Sequence, residues 1–164
     1  MAPPSETPEP SAKIFVNAAP VAVFSVLADM ENRAAVLSAV RRVVRVHPLP
    51  VERGTRIREK RTIGTLFRGS FSIVEYRPPD GISFARRWLG IPIRVDVALR
   101  DERGGTLVMV GSPSGASAPL GWLVRMIAAR WIAQWERDLS DIRRHVEPRA
   151  NPAWRAGLGE KDNA

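Results

Sequence analysis

Hydrophobic residues near the C-terminus recur at helical spacing. Placed at intervals of about 100°, the residues between Pro119 and Glu147 form one broad apolar face. That face consists of Leu120, Leu123, Val124, Ile127, Ala128, Trp131, Trp135, Leu139, Ile142 and Val146. Pro119 suits a first turn and Pro148 disfavours continuation past Glu147, so the pattern predicts one long helix that needs an equally long apolar cover. Gln134 and Asp138 interrupt the apolar face one turn apart.

In the rest of the chain, hydrophobic residues recur mainly at helical spacing before Val40 and at every second position after it. The pattern before this point predicts a strand over Lys13–Asn17 and short helices over Pro20–Ala28 and Glu31–Leu37. Six further strands are predicted over Val40–Val46, Gly54–Ile63, Leu66–Tyr76, Ile82–Leu89, Ile91–Arg100 and Thr106–Gly111. Because the links between them are too short for crossover helices, the sequence predicts an α+β fold with an antiparallel meander.

The two ends of the chain differ in composition from its middle. Residues 1–11 contain four prolines and no periodic apolar pattern, which predicts a disordered tail. Residues 148–164 contain proline, glycine and charged residues and are predicted to form a flexible C-terminal tail. Residues 12–147 are then the single folded domain.

Composition excludes several kinds of chemistry. The 164 residues include no cysteine, which rules out disulfides, thiolate zinc sites and cysteine nucleophiles. The two histidines, His47 and His145, are far apart, so no metal site is predicted. There is no apolar run of membrane-spanning length and no signal-like N-terminus, so we expect a soluble, cytoplasmic protein.

The net charge of +8 comes mostly from arginines spread along the chain. These cations alternate with acidic and apolar residues rather than forming a block, so no dedicated nucleic-acid role is expected. A basic surface still leaves open a transient contact with an anionic membrane or a protein partner.

Several stretches in this order resemble the SRPBCC (START-like) superfamily, and within it the polyketide cyclase/dehydrase and coenzyme Q-binding type families. The matching stretches are FVNAAPVAVFSVLADMENR (15–33), GTRIREKRTIG (54–64), VEYRPPDGISF (74–84), ERGGTLVMV (102–110) and the last helix into IRRHVE (142–147). The resemblance implies a helix-grip fold, in which a curved antiparallel sheet of about seven strands wraps the C-terminal helix and encloses a ligand cavity.

The resemblance does not imply one chemistry. The superfamily includes lipid carriers, hormone and allergen-like binders, aromatase/cyclases, ring-hydroxylating oxygenase subunits and chaperone cofactors. The iron ligands of the oxygenase subunits have no clustered counterpart here. Many relatives carry a tryptophan after the first helix, whereas here Arg33 is followed by Ala34, Ala35 and Val36.

Strand alternation predicts a set of charged side chains on the face that meets the helix. These are Arg42, Glu59, Arg61, Glu75 and Arg86, with Phe84 and Trp88 nearby and with Gln134 and Asp138 opposite. Two interpretations are open. Some of these charges are paired at the sheet rim while a bulge turns others outward, or they form the polar end of a greasy pocket that orients a carbonyl, phenol or carboxylate.

The predicted ligand-binding residues combine this charged set with aromatic and apolar neighbours. They are Arg61, Phe71, Phe84, Arg86, Trp88, Ile127, Trp131, Gln134, Trp135 and Asp138. An enzyme of the cyclase or dehydratase type could use Glu59 or Asp138 as general base and Arg61 or Arg86 to stabilise an enolate. No nucleophile motif or phosphate-binding glycine loop is present, and no cofactor is predicted.

Two functions remain in competition. The leading hypothesis is binding of a hydrophobic or aromatic small molecule, such as a lipid, polyketide or quinone, by a carrier or a cyclase/dehydratase-like protein. The alternative is an adaptor without catalysis, which uses its basic surface and Trp122 or Trp154 to bind a protein partner or an anionic membrane. A monomer and a homodimer are both compatible with the sequence.

Overall fold

The computed structural model describes residues 10–62, 69–88, 91–111 and 121–150, without the side chains of residues 10, 88, 91 and 121–129. Most of both predicted tails lies outside these ranges, so the division into tail, domain and tail stays a prediction. Among the described residues, no helix is long and apolar enough to cross a membrane.

The observed elements follow the predicted order. They are β1 (Pro10–Val16), α1 (Pro20–Ala28), α2 (Arg33–Val36), β2 (Val40–His47), β3 (Arg56–Arg61), β4 (Gly69–Arg77), β5 (Gly81–Trp88), β6 (Ile91–Glu102), β7 (Gly105–Gly111) and α3 (Gly121–Ala150). The seven strands form one antiparallel sheet in the order β1-β7-β6-β5-β4-β3-β2, which makes β1 and β2 its two edges. The predicted α+β fold, a sheet with a long C-terminal helix and two short helices, is confirmed.

Several boundaries differ from the prediction by a few residues, and two of them extend into the predicted tails. The first strand begins at Pro10, inside the predicted tail, because proline can occupy an edge strand without a donor N–H. The last helix continues past Glu147 to Ala150, with Pro148 in its final turn, although proline disfavours continuation of a helix. There Arg149 donates a hydrogen bond of 2.7 Å to the carbonyl of His145, so one terminal carbonyl has a side-chain partner.

The core lies between α1, α3 and the inner face of the sheet. Helix α1 contributes Val23, Phe24 and Leu27, and the second half of α3 contributes Leu139, Ile142 and Val146, all of them buried. The stripe predicted for the long helix is therefore confirmed over its second half, while the side chains of its first half lie outside the described part.

Polar contacts hold the second half of α3 against both ends of the fold. Glu147 accepts a hydrogen bond of 3.0 Å from the N–H of Asn17, just after β1. Asp141 accepts bonds of 2.8 and 2.7 Å from the N–H and hydroxyl of Ser38, between α2 and β2. Burial would raise the pKa of Asp141, but its bonds from Ser38 and the nearby Arg144 hold that pKa below its ordinary value. These contacts fix where α3 crosses the sheet.

Gly105 should tolerate no side chain, because β1 and β7 approach closely there. A Cβ at this position would lie 2.6 Å from the carbonyl oxygen of Val16 and would also overlap the ring of Phe15. We therefore expect Gly105→Ala to lower the free energy of unfolding by about 1 to 3 kcal/mol, measured by chemical denaturation.

Gly111 is the matched control at the other end of the same strand. A Cβ there would lie 3.5 Å from the carbonyl oxygen of Asp96, an ordinary contact. Gly111→Ala should leave stability unchanged or raise it slightly, because alanine restricts the unfolded chain. Equal losses in the two variants would contradict the close approach at Gly105.

Candidate functional site

A cavity lies between α3 and the inner face of β3 to β6. Its lining consists of Arg33, Glu59, Arg61, Phe71, Phe84, Ala85, Arg86, Ile93, Val95, Trp131, Gln134, Trp135 and Asp138. The cavity is open to solvent on one side and has a volume of about 60 Å³. Of the predicted ligand-binding residues, the cavity brings together all but Trp88 and Ile127, whose side chains lie outside the described part.

Glu59 is the centre of a buried set of polar side chains. Its Oε2 accepts a bond of 2.9 Å from Nε of Arg33, and its Oε1 accepts one of 2.5 Å from Nε of Arg61. Burial alone would raise the pKa of Glu59, but the charges and hydrogen bonds of the two arginines outweigh burial and hold this pKa below its ordinary value. Glu59 is therefore a carboxylate at neutral pH.

Asp138 extends this set onto the long helix. Its Oδ2 accepts a bond of 2.9 Å from Nη1 of Arg61, and its Oδ1 accepts one of 2.6 Å from the side-chain amide of Gln134. Burial would lower the pKa of Arg61, but Asp138 and Glu59 raise it, so Arg61 keeps its charge. The polar cluster, as we define it, consists of Arg33, Glu59, Arg61, Gln134 and Asp138.

Arg33 is the member that sequence reasoning missed. It lies in α2, is buried, and its guanidinium carbon is 5.5 Å from the centroid of the Phe71 ring. The single turn of α2 has no periodic apolar face from which the direction of this side chain could be predicted. The sequence marks Arg33 only as the last residue of the stretch FVNAAPVAVFSVLADMENR, which carries the resemblance.

Two predicted inward charges point elsewhere because of β-bulges. Irregularities between Val40 and Arg42, and again between Val43 and Arg45, shift the alternation of β2, so Arg42 is exposed. A further irregularity in β4 turns Glu75 outward, where it pairs with Arg77 and Arg94 rather than with the cavity. The prediction that Arg42 and Glu75 face the helix is wrong.

Aromatic rings form the apolar part of the cavity wall. Phe84 is 5.5 Å from Phe71 and 6.3 Å from Trp135 between ring centroids, and Trp135 is 6.4 Å from Trp131. Both tryptophans are only half-buried, unlike the fully packed residues further along α3. These side chains offer flat apolar surface next to the polar cluster.

The cavity lining carries a net positive charge. Among the described residues it has three arginines, Arg33, Arg61 and Arg86, against the two carboxylates Glu59 and Asp138. Burial and the charge of Arg61 lower the pKa of Arg86, while Glu59 acts in the opposite direction. Such a lining favours electron-rich oxygen atoms on a ligand. No group of three or more potential metal ligands occurs in the part of the chain that the structure describes.

Solved structures with this arrangement of strands and helices are numerous. The di-domain ARO/CYC protein StfQ from the steffimycin biosynthetic pathway superposes with a TM-score of 0.68 at 13% identity, over 85% of this chain and 50% of StfQ. Di-domain ARO/CYC BexL from the BE-7585A pathway gives 0.64 at 15% identity, over 83% and 48%. The chain thus spans about half the length of these two proteins.

A third similar structure is that of Ara h 8.0201, with a TM-score of 0.60 at 13% identity over 82% of this chain and 94% of that one. The chain has the START-like helix-grip fold. The resemblance predicted from the sequence is thereby confirmed at the level of the fold. No protein-family model and no curated protein sequence matches the chain.

The polar cluster should contribute strongly to the stability of this START-like fold. Glu59→Gln removes the charge that two buried arginines share, so we expect a loss of about 3 to 5 kcal/mol in the free energy of unfolding at neutral pH. Glu75→Gln removes an exposed partner of Arg94 and should cost about 1 kcal/mol or less. Chemical denaturation of both variants measures the difference, and similar small losses would contradict a buried network.

The depressed pKa of Glu59 also predicts a pH dependence. A carboxylate with a lower pKa in the folded than in the unfolded chain stabilises the fold above the ordinary value of 4.5, and this stabilisation is lost as pH falls through the folded value. The free energy of unfolding of the wild type should therefore fall more steeply below about pH 4.5 than that of Glu59→Gln. Parallel pH profiles for the two proteins would show that Glu59 is not held ionised by its partners.

Proposed function

We propose that this protein binds a hydrophobic or aromatic small molecule in the cavity between α3 and the sheet. The observation that carries the proposal is the composition of the wall. Aromatic rings of Phe71, Phe84, Trp131 and Trp135 line one part, and the polar cluster lines another. An apolar pocket with a few convergent polar groups is the usual form of a small-molecule site.

The size of the cavity limits how a ligand could occupy it. Pockets for drug-sized ligands are about 300 to 1,000 Å³, which is far more than the volume of about 60 Å³ here. A polycyclic ligand must therefore extend into the mouth, or the half-buried Trp131 and Trp135 must turn aside. The ligand's apolar part would contact these rings while its oxygen atoms meet the arginines.

The carboxylates favour a binding role over proton transfer. Both oxygens of Glu59 and both of Asp138 already accept hydrogen bonds from side chains of the polar cluster. A general base needs a pKa near the working pH and a free oxygen facing the substrate, whereas the pKa of Glu59 is lowered. Among the candidates, Arg61 and Arg86 fit a ligand-orienting role better than Glu59 fits that of a base.

Cyclase-like catalysis is the second candidate function. It is supported by the likeness of the fold to the ARO/CYC proteins StfQ and BexL and by the net positive lining, which suits developing negative charge on an enolate oxygen. In such a cyclase the arginines would stabilise the negative charge of the enolate. The proton that leaves the substrate carbon would be accepted by another group of the substrate or by solvent. A carrier and a cyclase of this type would use the same binding site, and only the cyclase would convert its ligand into a product.

The adaptor alternative has less support from the cavity. It relied on Trp122 and Trp154, and neither side chain lies in the described part of the chain. A basic surface is present, but it does not account for a polar cluster buried against aromatic rings.

Two fluorescent probes of similar shape test ligand binding and the role of charge. They are neutral N-phenyl-1-naphthylamine and anionic anilinonaphthalene sulfonate. We expect both probes to bind the wild type with enhanced emission. Arg86→Met should lower the affinity for the anionic probe roughly tenfold and change the affinity for the neutral probe little, because one charge-assisted contact contributes about 1.5 kcal/mol or more. Native mass spectrometry of freshly purified protein, followed by extraction, identifies any bound molecule.

Arg87→Met is the matched control, because Arg87 is the next residue of β5 and is exposed. It should leave the affinity for both probes unchanged. If the folded wild type binds neither probe and carries no small molecule after purification, the binding function is wrong. If Arg86→Met and Arg87→Met weaken the anionic probe equally, the cavity does not select for charge.

A further inference from the structure

The outer face of β2 and β3, away from the cavity, carries a concentrated set of cations. Its members are Arg42, Arg45, Arg56, Arg58 and Lys60, all of them exposed, and we call this set the basic strip. Strand pairing places Arg42 opposite Lys60 and Arg45 opposite Arg58. Directly opposed residues have Cβ atoms about 5 Å apart, so the strip is two cations wide. Along β3 it extends about 13 Å.

Within the described ranges, no carboxylate pairs with the cations of the strip. Among the described residues, none of the ion pairs or side-chain hydrogen bonds involves a member of the strip. Glu75, an acidic residue on the same side of the sheet, already pairs with Arg77 and Arg94. Like charges directly opposite each other on a sheet destabilise it, so the strip lowers stability unless an anion meets it.

Protection of the sheet edge does not explain the strip. Charged side chains on an edge strand discourage pairing with other chains, and β2 is an edge. Three of the five cations, however, belong to β3, which lies between β2 and β4 and has no free edge. The part of the strip on β3 therefore needs another reason.

Exposed apolar side chains accompany the basic strip. Leu49, between two prolines just after β2, is 51% exposed, and Val44 in β2 is 44% exposed. These are two of the four large apolar side chains that the described part of the chain exposes. Cations beside exposed aliphatic groups match the interface of an anionic bilayer, where headgroups meet acyl chains. A surface for single-stranded nucleic acid would call for aromatic side chains for base stacking, and the strip has none.

We propose that the basic strip, with Leu49 at its border, is a docking surface for anionic lipid membranes. The cations would lie over the lipid phosphates and carboxylates, and Leu49 would enter the headgroup region. This surface is on the opposite side of β3 from Glu59, so docking leaves the cavity lining unobstructed. The proposal does not depend on the identity of a ligand.

Flotation with lipid vesicles tests the proposal on the full-length chain. We expect the wild type to bind phosphatidylcholine vesicles that contain phosphatidylserine at low salt, to bind pure phosphatidylcholine weakly, and to be released by high salt. Arg45→Thr combined with Arg58→Thr should lower the partition coefficient roughly fivefold per cation, and so roughly twenty-five-fold for the pair. Thermal unfolding should show that this variant is as stable as the wild type or more so, because a repulsive pair is gone.

The matched control is Lys13→Thr combined with Arg100→Thr. It removes the same net charge from exposed positions on β1 and β6, towards the other edge of the sheet. Its partition coefficient should stay within about twofold of the wild type, and Leu49→Ser alone should weaken binding severalfold. Failure of the wild type to bind the anionic vesicles at low salt, or equal losses in the two double variants, would overturn the proposal, as would a clear preference for duplex DNA over the vesicles.

Discussion

The buried ion pairs of Glu59 are the constraint on which the structure depends. Removing a charge from water costs free energy unless an oppositely charged partner lies close to it in good geometry. Here Glu59 pairs with both Arg33 and Arg61, and Arg61 also pairs with Asp138. The chain of contacts joins three elements: α2 through Arg33, β3 through Glu59 and Arg61, and α3 through Asp138. Displacing any of these elements would leave a buried charge without its partner. The ion pair of Arg33 thus adds to the packing of Val36 in holding α2, a single helical turn, in place.

Periodicity predicted most of the fold, because each element has its own repeat and is bounded by proline, glycine or polar residues. It also placed Glu59, Gln134 and Asp138 inside, since all three share a face with apolar neighbours. It failed at Arg42 and Glu75 because a bulge inserts one residue and reverses every side chain beyond it, and nothing in the composition of β2 or β4 marks the insertion point. It missed Arg33 because one helical turn has no periodicity to read.

The position of the cavity follows from how α3 is packed along its length. Its second half buries Leu139, Ile142 and Val146 against α1 and the sheet, and contacts with Ser38 and Asn17 hold it there. One to two turns earlier, Trp131 and Trp135 are only half-buried. The core is therefore closed at the level of Leu139 to Val146 and less tightly packed at the level of Trp131 and Trp135, and the polar cluster lies at the transition. A fully aliphatic core at that level would have left neither space nor charge for a ligand.

Strand β3 contributes to the polar cluster on its inner face and to the basic strip on its outer face, and this distribution of charge fixes its register. Its inner face presents Glu59 and Arg61 and only one large aliphatic side chain, Ile57. A strand with so little apolar area is weakly held by hydrophobic burial alone, and a slip of one residue exchanges its faces. Here such a slip would bury Arg58 and Lys60 beside Arg33 and would expose Glu59, so three cations of the described cavity wall would face the carboxylate of Asp138 without the second carboxylate. The cost of those unpaired charges specifies the register more strongly than Ile57 does. The polar cluster inside and the basic strip outside are thus two consequences of one alternating sequence, RIREKR.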